Sequence, residues 1–134
     1  MELEEASMVG LSRRPSVLIV EDDMLIALSM ASFLEDECDA ETQVAGSVML
    51  AESAALDLVD FAFLDVNVVG DDTFHFARRL SDAHVPFAFV SASNPASIPG
   101  DLRDAPFLAK PCPADVIANL LKSSLVRGRQ NQFA

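Results

Sequence analysis

Residues 16–23 read SVLIVEDD, an apolar run that ends directly in three acidic residues. The run 17–20 has the length and the unbroken apolar character of a strand that is buried on both faces, as in a parallel sheet. Apolar residues then recur at helical spacing over 24–34. The stretch therefore predicts a buried strand, an acidic loop and a helix.

The alternation of strand and helix patterns continues along the chain. Further strands are predicted at 41–45, 61–64, 87–90 and 107–109, and helices after Ser47, over 73–83 and from Pro113. This alternation favours right-handed crossovers, and so an α/β fold with a doubly wound, five-stranded parallel sheet. Between the last two strands, Pro95, Pro99 and Gly100 interrupt the chain, which predicts a short or irregular fourth helix.

The composition fits one compact domain. The chain has 134 residues, of which 51% are apolar, and a formal net charge of -12 from 21 acidic and 9 basic residues. We expect a domain at 16–126, a flexible N-terminal extension at 1–15 and a frayed tail at 127–134.

The negative charge disfavours nucleic acids and anionic membranes as partners. The first residues lack the apolar core of a secretory signal or a membrane span, which predicts a cytoplasmic protein.

Polar residues follow four of the predicted strands. Glu21 and Asp22 follow the first strand, Asp65 the third, Ser91 the fourth and Lys110 the fifth. The carboxyl ends of parallel strands meet at one edge of the sheet, where ligands bind at the point at which strand order reverses. Each residue alone has an ordinary structural explanation, such as a helix cap or a solvated lysine. Five polar groups at one edge together indicate a functional site.

The motifs at these positions resemble those of one known family. Over about residues 16–125 the sequence is similar to the receiver domain of bacterial two-component response regulators, through the motifs Val20-Glu21-Asp22-Asp23, Leu64-Asp65-Val66-Asn67, Val90-Ser91-Ala92 and Ala109-Lys110-Pro111. No single motif suffices, but their combination is specific. The resemblance implies a flavodoxin-like sheet with strand order 2-1-3-4-5.

The resemblance assigns a role to each acidic residue of the site. It implies that Asp65 accepts a phosphoryl group in a magnesium-dependent reaction. The Mg2+ ligands would be the carboxylates of Glu21, Asp22 and Asp65 and the backbone carbonyl of Asn67. A divalent cation with oxygen ligands would also allow three carboxylates to share one crevice.

The resemblance also predicts a conformational switch. Lys110 would pair with Asp65 and then with an oxygen of the phosphoryl group, while the Ser91 hydroxyl would move toward another of these oxygens. Phe107 stands three residues before Lys110, where the family carries an aromatic residue that changes rotamer; the alternative is an ordinary core aromatic. The family further implies a cis bond between Lys110 and Pro111.

The partners that the resemblance implies are proteins. A sensor histidine kinase or a histidine phosphotransfer protein would supply the phosphoryl group, and an unidentified downstream protein would receive the signal. We expect a monomer or a weak homodimer. We also expect slow self-dephosphorylation instead of an enzyme with a separate substrate.

One alternative is a degenerate receiver that binds proteins without phosphorylation, against which the intact Asp65 and Lys110 argue. A second is a phosphatase-like hydrolase, a class that usually carries an acid where Asn67 stands.

Two further features are less specific. The irregular segment after Ser91 is similar to that of small alphaproteobacterial single-domain regulators that are paired with atypical histidine kinases. Cys112 is interpreted as a small buried apolar residue or, alternatively, as a redox-sensitive thiol near the site. Because Cys38 is the only other cysteine, neither a disulfide scaffold nor a zinc site is predicted.

Overall fold

The structure is a computed structural model that describes residues 13–132. Most of the predicted N-terminal extension 1–15 lies outside the described residues, and so do the last two residues of the predicted tail 127–134. Within the described range, none of the helices is long and apolar enough to cross a membrane.

Two arginines in front of the first strand attach the chain to the domain. Arg13 forms a two-pronged salt bridge with Asp60, with both nitrogen–oxygen distances at 2.9 Å. The Arg14 guanidinium donates to the backbone carbonyl of Ala40 at 2.8 Å. The ordered contacts therefore reach into the last residues of the predicted extension.

The part of the chain that the structure describes forms seven strands. They are β1 Ser16–Val20, β2 Glu41–Ala45, β3 Phe61–Leu64, β4 Asn67–Val68, β5 Asp71–Asp72, β6 Phe87–Ser91 and β7 Phe107–Ala109. Five of them form one parallel sheet in the order β2-β1-β3-β6-β7. This sheet confirms the predicted fold class and its 2-1-3-4-5 order. The strands β4 and β5 form a separate antiparallel hairpin, which was not predicted.

Between residues 13 and 132 the chain also forms four α-helices. They are α1 Met24–Cys38, α2 Val48–Glu52, α3 Phe74–Asp82 and α4 Ala114–Gln132. The Asp23 carboxylate caps α1 by accepting hydrogen bonds from two backbone N–H groups of its first turn, and Ser47 caps α2 in the same manner. The backbone of α4 is helical beyond Arg127, and fraying of the tail in solution stays a prediction.

The segment between β6 and β7 forms two short 3-10 turns instead of an α-helix. The turns are Pro95–Ser97 and Gly100–Leu102, which confirms the predicted irregular fourth helix. The Arg103 guanidinium donates to two backbone carbonyls of this segment, at 2.8 and 3.0 Å. Arg78 of α3 donates two hydrogen bonds from its guanidinium to the Asp101 carboxylate, at 2.8 and 3.2 Å. These side-chain hydrogen bonds add to the backbone bonds within the two turns, and together they hold the segment.

Alternate residues of the strands enter two apolar layers, one on each face of the sheet. On one face, Leu18 and Leu64 pack with α3, and on the other, Ile19 and Phe63 pack with α1 and α4. Because β1 and β3 are buried on both sides, their sequences carry no charged side chain until they end. The charged groups therefore collect at the carboxyl edge of the sheet.

Candidate functional site

Three carboxylates meet at the carboxyl edge of the sheet. Glu21 and Asp22 follow β1, and Asp65 follows β3, which pairs directly with β1. One oxygen from each carboxylate lies within 4.8 Å of the other two. Three negative charges at this separation repel one another, so the arrangement requires positive charge nearby.

Lys110 supplies part of that positive charge. It follows β7, and its Nζ lies 2.5 Å from Glu21 Oε1 and 2.9 Å from Asp65 Oδ2. Burial alone would lower the pKa of the Lys110 ammonium, but its hydrogen bonds to the two carboxylates outweigh burial and raise the pKa above its ordinary value. The ammonium is therefore charged at neutral pH. The predicted cis bond between Lys110 and Pro111 is present.

Both oxygens of the Asp65 carboxylate accept hydrogen bonds. Oδ1 accepts from the Ser91 hydroxyl at 2.6 Å and from the Val66 backbone N–H at 2.7 Å, whereas Oδ2 accepts from Lys110. Ser91 ends β6 and is 1% exposed, so its hydroxyl is shielded from water. The predicted movement of this hydroxyl toward a phosphoryl oxygen would therefore start from a hydrogen bond to the carboxylate.

The two acidic residues after β1 have different environments. Glu21 is 3% exposed, and its two oxygens bind the Lys110 ammonium and the Asp23 backbone N–H, the latter at 3.0 Å. Asp22 is exposed, and its Oδ2 accepts the backbone N–H of Val69 at 2.7 Å. Asp22 therefore offers a carboxylate at the mouth of the site, while Glu21 lies inside it.

Asn67 lies on the loop that follows Asp65. Its side chain is exposed, and its Oδ1 accepts the Gly70 backbone N–H at 3.2 Å, so the amide side chain stabilises the turn of the hairpin. The atom predicted to bind metal is its backbone carbonyl. Carboxylate and carbonyl oxygens are the donor atoms that Mg2+ prefers, and Asp22 faces solvent from which an ion would enter. The residues at this edge therefore fit a magnesium ion.

Thr73 contacts the site although the sequence analysis did not include it. It is fully buried, and its Oγ1 donates to the backbone carbonyl of Asp65 at 2.7 Å. Its backbone N–H donates to the carbonyl of Val66 at 3.0 Å, which closes the loop that carries the hairpin. A threonine directly before a helix is typical of a helix cap, but its side chain makes no capping bond to α3. The sequence signal therefore pointed to a different role.

Other residues that the sequence analysis discussed lie at the margin of the site or away from it. Phe107 is opposite Phe89 in the register of β6 and β7 and is partly buried against the apolar layer that contains α3; its switch role stays a prediction. Cys112 is partly buried against the apolar layer that contains α1 and α4, and burial raises the pKa of its thiol; both interpretations of this residue stay predictions.

Comparison with known proteins finds relatives among solved structures. No protein-family model matches the chain, and no curated protein matches it. SdrG from Sphingomonas melonis Fr1 is 33% identical, with a TM-score of 0.71 and coverage of 84% of this chain and 97% of that one. A CheY-like response regulator receiver domain protein from Methanospirillum hungatei JF-1 is 16% identical, with a TM-score of 0.78 and coverages of 89% and 99%. The non-phosphorylated HemR receiver domain from Leptospira biflexa is 22% identical, with a TM-score of 0.72 and coverages of 83% and 94%.

Proposed function

The chain belongs to the receiver domain family of response regulators, and we propose that its Asp65 accepts a phosphoryl group in a magnesium-dependent reaction. The observation that carries this proposal is the environment of Asp65. Its carboxylate lies between the Ser91 hydroxyl and the Lys110 ammonium, and within 4.8 Å of two further acidic groups. The hydroxyl and ammonium donors beside Asp65 support the proposal, because the same two groups can stabilise the added negative charge of a phosphoryl group.

Asp65 acts as the nucleophile in the proposed reaction. One of its carboxylate oxygens attacks the phosphorus of a phosphohistidine; the new P–O bond forms as the P–N bond breaks, and the electron pair leaves with the imidazole nitrogen. The product is an acyl phosphate. The residues of the chain contribute position and charge: the Val66 N–H and the Ser91 hydroxyl orient the carboxylate, and Lys110 stabilises the added negative charge.

The proposed magnesium ligands are oxygen atoms of Glu21, Asp22, Asp65 and the Asn67 backbone. When bound, the ion offsets the negative charge of the carboxylates and of the incoming phosphoryl group. The mutual distances among the three carboxylates and the exposure of Asp22 support this assignment. Since Lys110 binds both Glu21 and Asp65, it holds these two groups together before the ion arrives.

The proposed partners are a histidine kinase or histidine phosphotransfer protein as donor and a downstream protein as target. Signalling would begin at Ser91, because its hydroxyl donates to Asp65 and also accepts the Ser93 backbone N–H at 3.1 Å. A shift of this hydroxyl onto a phosphoryl oxygen would therefore act on the irregular segment 92–106. The chain would not process a separate substrate in this role.

Intact mass spectrometry tests the proposal directly. Wild type, Asp65→Asn and the control Asp57→Asn, which changes an exposed acid of the 3-10 turn before β3, are incubated with acetyl phosphate in the presence of magnesium or of EDTA. We expect one phosphoryl adduct on the wild type and on the control, with magnesium only, and none on Asp65→Asn.

The outcomes separate the alternatives. An adduct on Asp65→Asn would contradict the assignment of the acceptor. No adduct on the wild type, despite magnesium binding in calorimetry and a repeat with a phosphorylated histidine phosphotransfer protein, would favour a degenerate receiver that binds partners without phosphorylation.

A further inference from the structure

The turn of the β4–β5 hairpin contains a valine in the left-handed region of backbone conformation. Val69 and Gly70 join the two strands, with φ angles of 52° and 84°. Two-residue hairpin turns with positive φ at both central positions favour Asn or Asp followed by Gly, and β-branched residues are disfavoured there. Gly70 follows this preference, whereas Val69 contradicts it.

Side-chain burial does not compensate for this strain. The Val69 side chain is 65% exposed, so it gains little from packing. Its backbone N–H instead donates to Asp22 Oδ2 at 2.7 Å. Asp22 lies in the loop that follows β1, so this bond connects the hairpin to that loop. Within residues 13–132, this is the one hydrogen bond that the Asp22 carboxylate accepts. Hydrogen bonds to a charged acceptor are among the stronger ones, so this bond stabilises the unfavourable turn.

The base of the hairpin is held independently of Asp22. Thr73 closes the loop by donating from its N–H and its hydroxyl to the carbonyls of Val66 and Asp65. The contact with Asp22 therefore affects the tip of the hairpin alone. If the tip opens, Asp65 and the start of the loop remain in place.

We propose that the tip of the β4–β5 hairpin positions Asp22 for magnesium through the Val69 N–H, so that closure of the hairpin and binding of magnesium favour each other. The inference rests on the proposed function, since it concerns the same metal site. The hydrogen bond orients an otherwise exposed carboxylate before the ion arrives, which reduces the ordering that binding requires. The coupling is reciprocal. If bound magnesium raises the equilibrium constant for closure of the tip by some factor, then opening of the tip lowers the magnesium affinity by the same factor.

Two substitutions at position 69 separate the backbone donor from the side chain. Val69→Pro removes the N–H and cannot adopt a positive φ, whereas Val69→Asn keeps the N–H and accepts the left-handed region readily. Titration calorimetry with magnesium chloride should show affinity about tenfold weaker for Val69→Pro, as expected for loss of a hydrogen bond to a charged group. Val69→Asn should bind at least as tightly as the wild type. Equal affinities of wild type and Val69→Pro would overturn the inference.

A second measurement uses no turn variant and no metal. Amide hydrogen exchange of Val69 is compared by NMR between magnesium-free wild type and Asp22→Ala, with the amides of β1 and β3 as internal controls. We expect exchange at Val69 to be at least about fivefold faster in the variant, with the strand amides unchanged. Unchanged exchange at Val69 would overturn the inference even if Val69→Pro failed to fold. A wild type that binds no magnesium would instead contradict the proposed metal site.

Discussion

Replacement of Lys110 by methionine removes the positive charge from the site and keeps a side chain of similar length. Carboxylate oxygens that lie within 4.8 Å of one another repel by about 3.5 kcal/mol or more at an effective dielectric constant of about 20. Glu21 is 3% exposed, so it also loses a charge-assisted hydrogen bond that water replaces poorly. Because the Lys110 side chain is 17% exposed, screening reduces the effect. We expect Lys110→Met to lower the free energy of unfolding by about 2–4 kcal/mol in EDTA.

Magnesium should restore most of this loss, because a bound divalent cation replaces the missing positive charge. Urea unfolding followed by far-UV circular dichroism measures both conditions; the chain contains no tryptophan or tyrosine, so intrinsic fluorescence is a poor probe. The matched control is Lys122→Met, which removes an exposed lysine on α4 and should change stability by less than about 0.5 kcal/mol.

Either of two results would contradict this prediction. A loss below about 1 kcal/mol in EDTA would mean that the Lys110 ion pairs contribute no more than surface pairs do. A large loss that magnesium leaves unchanged would mean that Lys110 acts through packing and not through its charge. In the second case the three carboxylates would not form a cation site.

Three further predictions follow from the same contacts. Because the pKa of Lys110 is raised in the folded protein, its charge contributes fully to stability below the unfolded-state pKa near 10.4, and this contribution is lost as pH rises through the folded-state pKa. Urea unfolding should therefore give a lower free energy of unfolding at about pH 11 than at about pH 8. The decrease should be smaller for Lys110→Met. Burial raises the pKa of the Cys38 and Cys112 thiols, so alkylation by iodoacetamide at about pH 8 should be slower in the folded protein than in urea; equal rates by mass spectrometry would contradict this. Ser91→Ala should lower the free energy of unfolding by about 1 kcal/mol and slow the proposed phosphorylation without moving the acceptor from Asp65; an unchanged adduct rate would contradict the role of the hydroxyl.

The sheet was predictable because its signal is strong and local. Runs such as 17–20 and 61–64 are apolar throughout and end in carboxylates, and parallel strands read in this way when both faces are buried. Because the carboxyl ends of parallel strands lie at one edge of the sheet, the sequence predicted that Asp65, Ser91 and Lys110 lie close together. In the structure both Ser91 and Lys110 are within hydrogen-bonding distance of Asp65. Spacing alone does not reveal which oxygen of Asp65 each donor contacts, because that depends on rotamers.

The hairpin was not predictable from turn chemistry. Its turn has Val69 at a position that favours Asn or Asp, so the local sequence opposes the conformation that the chain adopts. The bond that stabilises it comes from Asp22, 47 residues away, and single-sequence patterns do not contain such a long-range contact. The same holds for Thr73, whose position suggests a cap and whose hydroxyl instead reaches back to Asp65. Both departures from local preference occur beside the candidate site, where tertiary contacts override local propensity.

The segment 92–106 contains two 3-10 turns and no α-helix, but it still connects the site to the surface. The Ser91 hydroxyl binds Asp65 on one side and the Ser93 backbone on the other, so one oxygen atom connects Asp65 to the irregular segment. Beyond it, Arg103 binds the backbone of that segment and Asp101 binds Arg78 of α3. The segment also has backbone hydrogen bonds within its two 3-10 turns, and the side chains of Ile98 and Leu102 are buried in the apolar layer that contains α3. A displacement that starts at Ser91 therefore acts on a segment that side-chain contacts, turn hydrogen bonds and buried apolar residues hold together.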